Sequence, residues 1–541
     1  MSSHSSTRTN QSIETNPSGD AQPESSGIAA AAGITFLGNL ASRILGLARQ
    51  SAMSHVFGTE GSLSAFFAVS AVPKMIYEML IGGMLSAALV PVLSDYADKE
   101  NKEDLWRLVS ILLSLATVVM AGIILLLELL APLIADLLVP GFSAELRTIT
   151  AMLTRIISPV LLLFSASGIV TAVLYARKDF TYPAMGAAVY NAGMIISVLF
   201  LEPFIGAAAL SVGVLLGGFL QLAVQSPGLR GMRLTFTLNW SHPALRRILK
   251  LYAPVALSLI ISNIGIVIDR NLASRTTEQA IAWMMDATYF IQFPLGLVSM
   301  AISLAILPTL SRIDVSNNLK AFTSTVSLGL RLVLALIIPA AVGLLVLGQP
   351  VIALVFEHGE FVTFDTAQTS RALRYYLLGL PFAAIDLPLV FAFYARKDTV
   401  TPVLVGIAGV LIYLSVGPAL AFLLHMGFLG LVLANSIQLT SHAIIMLILF
   451  RRRFGGIEGN RIIRTVAKAS VASIVMGLCT HLAYRAVVTR LDISRTLHEA
   501  ILVGIPGAVG AVTYLISASI LRIEEITLIW ETIHKRLKHL Q

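Results

Sequence analysis

From Leu108 to Ala135 the chain carries one ionisable side chain, Glu128, and comparable apolar runs return along almost its whole length. About 18 such residues in a row are enough to cross a bilayer as a helix. A soluble protein can bury a few runs of this kind, but not a dozen. Of 541 residues, 56% are hydrophobic and 13% charged, where a soluble domain carries about a quarter charged. The reading is an all-α polytopic membrane protein with fourteen transmembrane helices. Turn signals at Gly58, Pro140-Gly141, Asn317-Asn318, Gly348-Gln349-Pro350 and Gly455-Gly456 separate many of them.

The net charge of +8 would point to nucleic acid in a soluble protein. Here no basic patch is interleaved with aromatics, so nucleic acid is excluded and the charge is read as loop charge that sets orientation. Lys and Arg crowd one set of loops, around Lys99–Arg107, Arg177-Lys178, Arg230–Lys250, Arg312–Lys320, Arg396-Lys397 and Arg451–Lys468. The other set holds few, such as Arg147, Arg275 and Arg485. The rich set is expected in the cytoplasm, with both termini. Residues 1–26 are polar and Ser-rich with no apolar core, a disordered cytoplasmic tail rather than a secretory signal. Cys479 is the one cysteine and reads as packing.

The string YARKD at 175–179 returns at 394–398, each time closing a long apolar run. The two copies end helices 4 and 10, an even number of helices apart, so the halves insert with the same orientation as a parallel repeat. Arg155 and Arg374 precede their Tyr residues by the same spacing, about 30 Å of helix. Pro91-x-Leu93-Ser94 closes helix 2 as Pro308-x-Leu310-Ser311 closes helix 8. The expected organisation is an N-lobe at 27–230 (helices 1–6), a C-lobe at 231–453 (helices 7–12), helices 13 and 14 at 454–522, and a cytoplasmic amphipathic tail at 523–541. YARKD itself is read as anchor and turn, with an interfacial Tyr, a basic pair toward acidic lipid, and Asp capping the next helix.

Ionisable residues inside apolar helices are costly and mark functional positions by default. Helix 1 carries Arg43 and Arg49, about 120° apart around the helix, with Gln50 on the Arg43 face. Lys74 and Glu78 sit one turn apart on helix 2. Helix 7 carries Asp269 and Arg270, and helices 8 and 10 add Asp286 and Asp386. The N-half set is net positive and suits an anionic headgroup such as pyrophosphate. The plainer alternatives are that Arg49 and Arg270 snorkel from helix ends and that Lys74 and Glu78 neutralise each other. Pro73, Gly82, Gly83 and Pro91 on helix 2 are candidate hinges, or ordinary membrane-helix Pro and Gly. No P-loop, metal-ligand cluster or nucleophile–base pair is legible, so no enzyme activity and no resident metal or cofactor is expected.

The stretches SRILGLARQ (42–50), FFAVSAVPKM (66–75), GGMLSAALVPVLSDY (82–96), IDRNLAS (268–274) and FPLGLVSMAISLAILPTLSR (293–312) together resemble the MurJ/MviN family of lipid II flippases. That family belongs to the multidrug/oligosaccharidyl-lipid/polysaccharide exporter group. The resemblance implies two six-helix lobes around a central cavity, with helices 13 and 14 forming a lipid-lined groove. It implies transport of lipid II, a polyprenyl-pyrophosphate glycopeptide, between leaflets of the bacterial cytoplasmic membrane by alternating access, in cell-wall biosynthesis. By the same match, Arg43 and Arg49 face the pyrophosphate; Lys74, beside Glu78, and Arg270 are read from their own charge as further substrate-binding residues. Asp269 matches a position that helps bind a coupling cation in some members, so Na+, H+ or the membrane potential supplies the drive. Membrane lipids and cell-wall synthesis proteins are the other implied partners. Tyr77, Gly82, Ser64 and the pair Thr288-Tyr289 depart from the family pattern. The alternatives are a flippase for another polyprenyl-linked glycan, a cation-coupled drug exporter, and a non-transporting scaffold for wall enzymes.

Overall fold

The structure is a computed structural model that describes residues 22–79, 88–97, 102–315, 317–489, 495–528 and 530–531. In chain order the helices are α1 (Gln22–Phe57), α2 (Gly61–Tyr77), α3 (Val90–Ala97), α4 (Lys102–Leu138), α5 (Ala144–Ile157), α6 (Val160–Ala176), α7 (Thr181–Ile205), α8 (Ala208–Gln225) and α9 (Pro243–Ser274). Then come α10 (Ala280–Pro294), α11 (Met300–Arg312), α12 (Leu319–Phe356), α13 (Thr363–Ala395), α14 (Val400–Pro418), α15 (Phe428–Phe454), α16 (Gly459–Val488) and α17 (Arg495–Ile520). No strand occurs among the described residues. Eleven helices there are long and apolar enough to cross a membrane. The other three expected spans fall on α1, on α2 with α3, and on α9. Apolar side chains face outward without partners, as on α4, where Leu125, Leu129 and Leu133 are exposed. That pattern suits lipid as the surrounding solvent.

Packing sorts the helices into two groups. Helix α1 lies on α7, α7 on α8, and α4, α5 and α6 close around them. In the second group α13 is central, flanked by α10, α11, α12 and α15, while α16 and α17 pair and lean on α12. Helix α9 touches both groups, packing on α4 as well as α14. Its Arg247 reaches Asp95 of α3 at 2.7 Å.

The repeat is visible at atomic detail. Lys178 and Lys397 both adopt left-handed backbone, φ 61° and 59°. In the first copy Asp179 N–H bonds Leu174 O at 2.8 Å, and in the second Asp398 N–H bonds Phe393 O at 3.0 Å. Each Asp then accepts from a backbone N–H at the start of the next helix, Thr181 at 3.1 Å and Thr401 at 3.0 Å. One string thus stops a helix and starts the next. Leu93 and Leu310 are both fully buried, in equivalent apolar clusters near the basic loops.

Several boundaries differ from the sequence reading. The first helix begins at Gln22, inside the expected 1–26 tail; a proline in a first helical turn costs nothing there because its missing N–H has no intrahelical partner. Gly348-Gln349-Pro350 is not a turn, and α12 runs through it to Phe356. Gly348 instead admits α13, since a β-carbon there would stand 2.9 Å from Leu373 Cδ2. The expected amphipathic tail at 523–541 does not begin at the surface. Glu525 is 2% exposed and bonds Arg331 of α12 at 2.6 Å, with Thr465 of α16 at 3.3 Å.

Candidate functional site

At the end away from the basic loops the two groups are clamped together. Gly58 (φ +56°) passes Glu360, and Gly359 (φ +62°) passes His55, each too closely for any side chain. Glu360 N–H bonds His55 O at 2.9 Å across this seam. Ser51 Oγ donates to Val355 O at 2.6 Å, and Ala282 N–H to Ser64 Oγ at 3.2 Å. Thr59 and the Trp283 indole both donate to Asp365. Phe57, Phe66, Trp283, Phe290 and Phe356 fill the space between in one apolar cluster.

Below the clamp lie two adjoining cavities of about 340 Å³ and 320 Å³. Phe67, Ser70, Lys74, Glu78 and Met285 line both, so one face of α2 separates them. Lys74 and Glu78 are 3.9 Å apart and well exposed to this space. The first cavity takes Arg49 from α1, Asn191 from α7, Tyr77 from α2, Gln221 from α8 and Tyr289 from α10. Arg49 donates to Asn191 Oδ1 at 3.0 Å and to Tyr289 Oη at 2.7 Å. Both partners are neutral, so the guanidinium is fixed but keeps its charge. Beside Lys74 and Glu78, this cavity is net positive.

The second cavity is lined by Asp269 and Arg270 of α9, with Asn263, Thr288, Tyr413, Asn435 and Gln438. Arg270 donates to Asp269 Oδ2 at 3.5 Å and touches Met285 Sδ at 2.7 Å. Tyr413 donates to the other oxygen of Asp269. Its charges therefore balance.

The structure brings Arg49, Lys74, Glu78, Asp269 and Arg270 to this one place. It does not bring Arg43. That residue is exposed and lines neither cavity. Its guanidinium lies against Gly296, where a β-carbon would stand 2.6 Å from both terminal nitrogens. The six-residue offset from Arg49 turns it onto another face of α1. Gln50, expected on the Arg43 side, is fully buried and bonds Asp286 at 2.6 Å. Asp386 pairs with His442 at 2.8 Å within the second group, away from both cavities.

Of the hinge candidates, Pro73 lines the first cavity and Pro91 is exposed on α3. Gly82 and Gly83 lie outside the described residues. Backbone on either side of them, at Glu78-Met79 and Ala88-Leu89, widens to π turns, and Leu295–Ser299 does the same between α10 and α11. Such turns commonly mark functional breaks in helices. Two further residues escaped the sequence reading. Tyr190 of α7 stands in the first cavity with no charge to flag it. Arg331 was detectable as a lone arginine in apolar α12.

A family model described as lipid II flippase MurJ matches residues 53–496. The chain is 30% identical over 468 residues to the probable lipid II flippase MurJ of Rhizobium tropici, spanning 82% of this chain and 85% of that protein. It is 27% identical over 502 residues to the probable lipid II flippase MurJ of Buchnera aphidicola subsp. Acyrthosiphon pisum, spanning 90% and 95%. Among solved structures, a lipid II flippase MurJ in an inward closed conformation aligns over 91% of this chain and 99% of its own, with 26% identity and a TM-score of 0.76. An inward-facing multidrug transporter of the MATE family shares the fold at 15% identity, with a TM-score of 0.67 over 76% of this chain and 94% of its own.

Proposed function

This chain belongs to the lipid II flippase MurJ family, and from that premise we propose that it carries lipid II from the inner to the outer leaflet of the bacterial cytoplasmic membrane. The work is transport without covalent chemistry, in cell-wall biosynthesis. The observation that carries the reading is Arg49. It stands in a cavity between two helix groups, is held by neutral partners, and presents charge with no acid of its own. A guanidinium so placed pairs with pyrophosphate oxygens through charge-assisted hydrogen bonds. Lys74, beside Glu78, adds positive charge on the same wall.

In the full reading the chain has fourteen spans in two six-helix lobes plus helices 13 and 14, with both termini cytoplasmic. The polyprenyl tail stays in lipid along α16 and α17, whose Ile463, Leu478, Leu482 and Ile520 face outward. The clamp holds the lobes shut at the end away from the basic loops, so the described state has its periplasmic side closed. Reopening there, with α2 and α10–α11 flexing at their π turns, gives alternating access. The membrane potential, or Na+ or H+ bound near Asp269, supplies the drive.

Depletion of the protein with a leaflet-resolved assay of lipid II tests the reading: the precursor should vanish from the outer leaflet. Unchanged outer-leaflet lipid II refutes it. Another polyprenyl-linked glycan is the second reading. It is favoured by Tyr77 and Tyr289, which depart from the family pattern and with Tyr190 offer ring faces and hydroxyls to a sugar. The same assay with a different lipid-linked glycan distinguishes the two.

A further inference from the structure

Just below the clamp, Gln50 of α1 meets Asp286 of α10, and both are 0% exposed. Gln50 Nε2 donates to Asp286 Oδ1 at 2.6 Å. The other two polar atoms of the pair, Gln50 Oε1 and Asp286 Oδ2, have no hydrogen-bond partner. Both are acceptors if the carboxyl is ionised, and buried acceptors without donors are rare and costly. No Lys, Arg or His forms an ion pair with Asp286 among the described residues. An ionised carboxylate in such a place would lack both a cation and half of its hydrogen bonds. One proton repairs both faults. Placed on Oδ2 it turns that atom into a donor, and Gln50 Oε1 is the free acceptor on the same partner. A neutral acid and a primary amide then exchange two hydrogen bonds.

We propose that Gln50 and Asp286 form a proton-binding site between the lobes, occupied when the clamped end is closed and emptied when it opens. The two residues lie on different lobes, 236 positions apart in the chain. Separating the lobes therefore takes away Gln50 and lets water in, and Asp286 passes its proton to that water. The open state binds one proton fewer, so raising the pH favours opening and lowering it favours closure, by at most about tenfold per pH unit for one linked proton. This site is distinct from Asp269, which lies in the second cavity with Arg270 and Tyr413.

The surroundings leave the proton to this pair. On α1, Arg49 is engaged with Asn191 and Tyr289, and His55, whose carbonyl is part of the clamp, has an exposed side chain. On α2, Lys74 pairs with Glu78. On α9, Arg270 pairs with Asp269. The acid facing Asp286 from α13 is Asp365, which accepts from Thr59, the Trp283 indole and Val362 N–H and so disfavours a second charge close by. Tyr376, also on α13, is buried, while Arg371 and Arg374 are exposed. Arg331 on α12 is taken by Glu525, and His442 on α15 by Asp386.

The test uses the full chain in proteoliposomes. Spin labels at Thr148→Cys and Val362→Cys, both exposed near the clamped end, in a Cys479→Ser background report the separation there. The wild type should gain a longer-distance population as pH rises. Asp286→Asn, whose amide donates where the acid proton did, should stay closed at every pH, and Gln50→Leu should open at lower pH. Infrared spectra of the closed protein should contain a protonated-carboxyl band that disappears in Asp286→Asn and moves in Gln50→Leu. Absence of that band, or an Asp286→Asn variant whose distances follow pH as the wild type does, overturns the proposal. Should Asp286→Asn fail to reach the membrane, the wild-type band and its movement in Gln50→Leu decide. The link to transport rests on the flippase reading, but the proton site does not. A protein with the band and the pH response but no movement of lipid II would refute the former and keep the latter.

Discussion

Arg49 and Arg270 look alike in the sequence, each an arginine inside an apolar helix, yet the two cavities treat them differently. Arg49 is held by an amide and a phenol, Asn191 and Tyr289, at 3.0 and 2.7 Å. Arg270 has its own acid, Asp269, at 3.5 Å, and that acid is steadied by Tyr413. The first arrangement fixes an arginine and leaves its charge for a ligand. The second cancels the charge within the wall. A cavity's affinity for an anion thus depends less on how many arginines line it than on what their neighbours are.

The comparison can be broken most directly at Arg49. Arg49→Ala should lower headgroup binding and outer-leaflet lipid II by roughly ten- to a hundredfold, since hydrogen bonds to a charged group contribute about 1.5–3 kcal/mol. Arg270→Ala should cost only a few-fold. Equal losses in a leaflet assay would erase the distinction. Tyr289→Glu gives Arg49 an acid and should cost about tenfold, whereas Tyr289→Phe, which keeps Arg49 uncancelled and held by Asn191 alone, should cost less, about fivefold. Binding to a pyrophosphate lipid in nanodiscs separates them. Asp269→Asn releases Arg270 and is expected to abolish any cation dependence of transport, with headgroup affinity rising about twofold. Glu78→Gln frees Lys74 and should raise affinity by less than about twofold, because an exposed i,i+4 pair contributes about 0.3 kcal/mol.

The smallest effect lies in the two YARKD turns. Partial burial disfavours the ionised form of Asp398, but the Thr401 N–H and hydroxyl and the Arg453 guanidinium outweigh it and hold the carboxyl below the usual carboxylate range. A lowered value means the stabilisation is present above the ordinary range of about 4 and lost as pH falls through the group's own value. Protection of the amides at 394–401, taken relative to their intrinsic exchange rates at each pH, should therefore fall in acid. Exchange at 175–182 should change less, because Asp179 accepts from Thr181 N–H alone among the bonds described.

The helices, the repeat and the sign of the first cavity were legible because each is written locally, in apolar runs, in a recurring string and in the charge of neighbouring turns. The pairings were not. Arg49 meets Tyr289 across 240 residues and Gln50 meets Asp286 across 236, and both depend on how two helices are rotated against each other. Tyr289, read as a departure from the family pattern, proves to be the partner that orients Arg49. Arg43 misled for the converse reason. Its charge was visible, but the six-residue offset from Arg49 turns it onto another face of α1, where its guanidinium lies against Gly296.

The buried bond between Arg331 and Glu525 spans 194 residues of chain. At ribosomal speeds of about 5–20 residues per second, the arginine enters the bilayer roughly 10–40 s before its counter-charge has been made. A chain cut short before Glu525 leaves Arg331 without that partner, and removing one member of a buried ion pair costs about 3–5 kcal/mol. A truncation made before Glu525 should therefore be less stable than one made beyond it, and a fusion partner belongs beyond Glu525 rather than in place of it.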